Sequence, residues 1–129
     1  MEFTLKTTIK ASCAQIYTTW LSGAGHTKMT GGAAKITDKV GSKFTAWDGY
    51  IQGKNIALEP YGRILQSWRT TEFDEAEEDS QVELIMEEVD DQTELTLIHS
   101  NLPENGENYI QGWEDFYFIP MKSYFSNIR

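Results

Sequence analysis

Apolar and polar side chains alternate over the first ten residues, with Phe3, Leu5, Thr7 and Ile9 on one side and Glu2, Thr4, Lys6, Thr8 and Lys10 on the other. A period of two predicts a half-buried strand. The period then changes. Ser12 followed three residues later by Gln15 is a capping-box pattern, and Cys13, Ile16, Tyr17 and Trp20 recur at helical spacing. A short helix is expected there, stopping near Gly23 and Gly25, whose backbones tolerate the left-handed conformation of a helix end.

From residue 31 to residue 101 the pattern is a succession of strands, at 33–37 (the weakest), 43–47, 51–59, 63–71, 81–89 and 93–100. Turn chemistry separates them at residues 38–41, Asp48-Gly49, Pro60-Tyr61-Gly62 and Asp90-Asp91. Strands joined by turns this short run antiparallel. Val82, Leu84 and Met86 oppose Glu83 and Glu87, while Leu95, Leu97 and His99 share a side, so one face of the sheet is wetted and the other covered. The acidic stretch 72–79, broken by Phe73 and Ala76, reads as a solvated hairpin tip and lacks the ligand spacing of an EF-hand loop.

After Pro103 the spacing of Tyr109, Trp113, Phe116, Tyr117, Met121 and Tyr124 is that of an amphipathic helix. Phe118, Ile119 and Phe125 widen its apolar stripe, which therefore needs cover on more than one side, as a curved sheet would provide. Burying four such side chains stabilises by about 6–12 kcal/mol, comparable with the net stability of a domain. Pro120 lies inside this helix and is expected to kink it. Gly112 is expected to let the helix approach a neighbouring backbone, with Trp113 filling the adjoining hollow. These elements predict an α+β chain whose curved antiparallel sheet wraps around a long C-terminal helix, with short helices after strand one. Neither repeat nor linker divides it, so one domain over residues 1–129 is expected.

Charge narrows the partners. Twenty acidic against eleven basic side chains give a formal charge of −9, a field that repels phosphate backbones and anionic headgroups. Nucleic acid and membranes are not expected partners. Cys13 is the sole cysteine, which excludes an intrachain disulfide framework and a multi-thiolate metal site. No apolar run reaches the length of a membrane span, and the alternating first ten residues do not read as an export signal. A cytoplasmic monomer or small homo-oligomer is expected.

The local motifs carry a resemblance. Gly41-Ser42-Lys43-Phe44, Asp48-Gly49 with Gly53 beyond it, Glu59-Pro60, Ser67-Trp68-Arg69, Thr93-Glu94-Leu95, and Gln111-Gly112-Trp113 leading to Tyr117-Phe118 and Lys122 occur in order along the chain. Together they resemble the C-terminal-type domain of the heat-shock-protein-90 ATPase activators, a family within the START-like, birch-pollen-allergen-like helix-grip superfamily. The resemblance implies the helix-grip fold. It implies two roles, a binder of a hydrophobic small molecule or protein partner and a cochaperone-like stimulator of the large heat-shock chaperone ATPase. The eukaryotic activators carry a separate N-terminal domain with no counterpart in these 129 residues, so the first role is expected ahead of the second.

Candidate chemistry is sparse. His26 and His99 are the only histidines, outside any H-E-x-x-H arrangement, and no metal or cofactor is expected. His26, beside glycines, is expected to be exposed. No G-x-S-x-G elbow, P-loop or dinucleotide fingerprint occurs. Cys13 falls in a first helical turn, where the dipole lowers a thiol pKa, and a buried core thiol is the alternative. Trp47, Trp68, Trp113 and Tyr117 are candidates to line a cavity between sheet and helix, with Gln66, Arg69 and His99 as its polar groups. Solid core is the other reading of the same rings. A third function follows if His99 works as an acid or base, a cavity enzyme of cyclase or hydrolase type, but a binding module is expected over an enzyme.

Overall fold

Strand β1 (Phe3–Ile9) leads into helix α1 (Cys13–Trp20) in the computed structural model, which describes residues 1–127. Both bonds of the capping box are made, from Gln15 N–H to Ser12 Oγ at 3.1 Å and from Ser12 N–H to Gln15 Oε1 at 2.9 Å. Gly23 and Gly25 do not end this helix. They open a second one, α2 (Gly23–Thr30), because Ser22 Oγ accepts from Gly25 N–H at 3.0 Å and so satisfies a first-turn donor. The left-handed stop falls instead at Gly31, with φ of 89°.

Five strands follow: β2 (Lys43–Ala46), β3 (Ile51–Glu59), β4 (Arg63–Thr70), β5 (Ser80–Val89) and β6 (Gln92–Ser100). All neighbours pair antiparallel in the order β1-β6-β5-β4-β3-β2, so a meander is closed by the first strand docking on the last. The segment expected as a strand at 33–37 makes a single bridge, Lys35 to Thr45. Three of its other backbone groups bond outside the ladder, Ala34 N–H to Thr27 Oγ1, the Thr37 carbonyl to Asn55 Nδ2 and the Ala33 carbonyl to Asp48 N–H. Asp90 and Asp91 turn the last hairpin with φ of 53° and 63°, a conformation that short polar side chains tolerate.

Two features shape the sheet where it meets the helix. At Gly53 a Cβ atom would stand 1.9 Å from the Ser67 carbonyl oxygen, so only glycine fits this approach of β3 to β4. Two residues on, the register shifts between Asn55 and Ala57, a bulge that increases local twist. Buried Asn55 holds it, donating to the carbonyls of Thr37 and Lys39 and accepting from Gln66 Nε2 at 2.8 Å.

The C-terminal helix runs as α3 (Asn108–Trp113), a π-helical turn (Glu114–Phe118) and α4 (Ile119–Asn127). The kink expected at Pro120 thus takes the form of a π turn directly before it, where Ile119 N–H reaches the Glu114 carbonyl. Proline has no N–H to continue the ladder, so the irregularity coincides with the missing donor. Trp113, Tyr117, Met121 and Phe125 lie four residues apart and are buried, with Phe118 beside them. Phe116 and Ile119 are exposed, so the buried stripe is narrower than its composition suggests. The antiparallel sheet curving around this helix is the helix-grip arrangement.

Candidate functional site

A cavity of about 410 Å³ opens between one end of the sheet and the start of the C-terminal helix. Trp47, Tyr50, Ile51 and Trp68 line it from the sheet side. Asn108, Tyr109, Gly112, Trp113, Phe116 and Tyr117 line it from the helix. The volume lies within the range usual for small-molecule sites.

Local structure explains the opening. No atom of another element comes within 4 Å of where a Gly112 side chain would begin, so this glycine faces open space and does not serve the backbone approach expected of it. The helix surface is recessed there, between Trp113, which packs at 5.6 Å from Trp68, and Phe116, which meets Trp47 edge to face at 5.4 Å. Trp47 itself rests on Gly32, where a Cβ would come within 2.4 Å of the indole ring. Its Nε1 is buried and, among the described residues, has no hydrogen-bond partner, so it offers nothing to the cavity as it stands.

The candidate residues divide into two sets. Trp47, Trp68, Trp113 and Tyr117 border the cavity, whereas Gln66, Arg69 and His99 do not. Gln66 is buried, accepting from Trp20 Nε1 and donating to Asn55. Arg69 binds Asp79 at 2.9 Å and the carbonyls of Asp74 and Glu77, which staples the acidic hairpin tip to β4. His99 is wholly buried behind the wall, where Nδ1 accepts from Trp113 Nε1 at 3.0 Å and Nε2 faces Ser80 Oγ at 2.9 Å. Burial pushes its pKa down from 6.5 to about 3.

His26 overturns the expectation of exposure. It is buried, with Nδ1 at 2.8 Å from the Trp20 carbonyl and Nε2 at 2.9 Å from Tyr117 Oη. A carbonyl only accepts, so Nδ1 carries the proton and Tyr117 donates to Nε2. Burial lowers the His26 pKa, and the bond to Trp20 opposes that shift in part. Burial likewise raises the Tyr117 pKa, so the cavity wall keeps a neutral phenol. The helix α2 that carries His26 was hidden from pattern reading by its two glycines. Cys13 is buried beneath Thr93 Oγ1 and takes no part in the cavity.

Reading the sequence missed Tyr50, Ile51, Asn108, Tyr109, Gly112 and Phe116 as lining residues. Tyr109 and Phe116 already stood out in the helical stripe, but the stripe alone does not tell a packed ring from one beside open space. Tyr109 is held by Thr70, with the hydroxyls 2.7 Å apart, and Tyr50 donates to Glu72.

The pattern of the family described as "Activator of Hsp90 ATPase homolog 1-like protein" matches residues 10–126. The chain belongs to this family. Among solved structures, the HSP90 activator from Plasmodium falciparum superposes on this family member with a TM-score of 0.87 at 21% identity, over 95% of this chain and 94% of that one. The Aha1 dimer from Colwellia psychrerythraea superposes with a TM-score of 0.83, also at 21% identity, over 97% and 96% of the two chains. At these identities the likeness is one of fold. An uncharacterized protein of Schizosaccharomyces pombe is 24% identical over 92% of the chain, which spans only 35% of that relative's length. No helix among the described residues is long and apolar enough to cross a membrane.

Proposed function

We propose that this member of the activator family is a binding module that takes a hydrophobic small molecule into the cavity between the sheet and the C-terminal helix. The observation that carries this reading is the aromatic-walled space of about 410 Å³ at Gly112, where the helix presents no side chain. Filling it removes apolar surface from water at about 25 cal/mol per Å². A library of aromatic and aliphatic compounds screened by thermal shift and tryptophan quenching tests it. A ligand that raises Tm and quenches wild type but not Gly112→Leu supports the reading, and no response to any compound sinks it.

A second reading rests on the likeness in fold to the P. falciparum HSP90 activator, over 94% of that solved chain. In this reading the protein docks on the large heat-shock chaperone and stimulates its ATPase. The chaperone's turnover at saturating protein decides it, and an unchanged rate removes it. Acid–base catalysis by His99 has no geometric support, because both ring nitrogens are engaged behind the cavity wall.

A further inference from the structure

The polar ends of several of the cavity's rings are committed to the protein. Trp113 donates to His99, Tyr117 to His26 and Tyr50 to Glu72, and the Tyr109 hydroxyl pairs with Thr70. What these residues can offer an occupant is the aromatic ring itself, whose face carries partial negative charge. Seven of the ten lining residues are aromatic, three of them tryptophan, the strongest cation-binding ring, and none is Lys, Arg or His.

The neighbourhood has the same sign. A smaller hollow shares Asn108 and Tyr109 with the cavity and is bordered by Glu72 and Glu77. Among the described residues neither carboxylate has an ion-pair partner. Phe73 also borders that hollow and already seats a cation, the Arg69 guanidinium, 5.4 Å from its ring centroid. Arg69 does not reverse the local sign, because Asp79 and two backbone carbonyls match it.

Building on the ligand-binding reading above, we propose that the preferred occupant is a hydrophobic organic cation, with its apolar body in the cavity, its ammonium group against the tryptophan and tyrosine rings, and Glu72 balancing the charge. A carboxylate-bearing amphiphile of the same size finds no cationic partner in the wall and meets the field of a chain with formal charge −9.

The test uses three probes on one skeleton, (2-naphthylmethyl)trimethylammonium, 2-naphthylmethanol and 2-naphthylacetate, titrated by calorimetry and tryptophan quenching. The cation is expected to bind about tenfold tighter than the alcohol. The carboxylate is expected to bind weakest. Glu72→Gln removes the charge but keeps an oxygen to accept from Tyr50, so it is expected to weaken the cation about threefold more than it weakens the alcohol. If the alcohol binds and the cation binds no tighter, the charge preference is wrong and the cavity reading stands. If none of the three binds, the cation proposal falls, and the cavity reading stands or falls by the compound screen.

Discussion

Trp113 Nε1 donates a hydrogen bond to His99 Nδ1 across 3.0 Å, and this bond sets the state of the histidine. An indole N–H only donates, so Nδ1 bears the lone pair and the proton sits on Nε2. Nε2–H then donates to Ser80 Oγ, and Ser80 donates to the Trp68 carbonyl at 2.6 Å. The chain of bonds ties the gripped helix to three strands with every polar group satisfied. His99 is thus a positioning residue for two walls of the cavity, Trp113 and Trp68.

His99→Ala is expected to destabilise the protein by about 2–4 kcal/mol, since it opens a void and leaves the buried Trp113 N–H without its acceptor and Ser80 Oγ without its donor. His99→Gln, which keeps an acceptor and a donor, is expected to cost less. Urea denaturation measures both, and equal losses for the two variants would contradict the hydrogen-bonded role.

Stability should fall in acid through His99 and His26. Their pKa values are lowered in the folded chain, that of His99 from 6.5 to about 3, both chiefly by burial. Between pH about 6.5 and about 3 the unfolded chain binds the His99 proton and the folded chain does not. The contribution is therefore complete above about pH 6.5 and lost as pH falls toward 3, by up to about 1.4 kcal/mol per pH unit for His99. Denaturation at pH 7.5, 5.5 and 4.5 should show a shallower loss in His99→Gln than in wild type; parallel losses would count against it.

Gly112→Ala should stabilise the protein by about 0.5–1 kcal/mol, because the site is helical, has room for a methyl group and gains helix propensity. Gly112→Leu should keep the fold and occupy the cavity. Thermal unfolding checks the first outcome, and loss of ligand response at unchanged circular dichroism checks the second.

Gly53→Ala should do the opposite. Its methyl group would fall 1.9 Å from the Ser67 carbonyl oxygen with the Phe44 ring close on the other side, so β3 and β4 must separate. A loss of about 3 kcal/mol or more is expected. Expression with hydrogen exchange along β3 and β4 would show it, and a wild-type exchange pattern would refute the assignment.

Periodicity alone determined most of the architecture here. The alternation of β1, β4, β5 and β6, the Ser12–Gln15 cap and the four-residue spacing of Trp113, Tyr117, Met121 and Phe125 are local consequences of which side of a strand or helix meets water. The family was legible too, in motifs spread along the chain. Tertiary structure alone decided whether a ring is packed or faces space, which way Gly112 looks, and that His26 lies buried against Tyr117. Those outcomes depend on partners 14 to 91 residues away in the chain, such as Trp113 for His99 and Tyr117 for His26. A pattern read over a few turns records a side chain's face, whereas a cavity is made by two distant faces failing to meet.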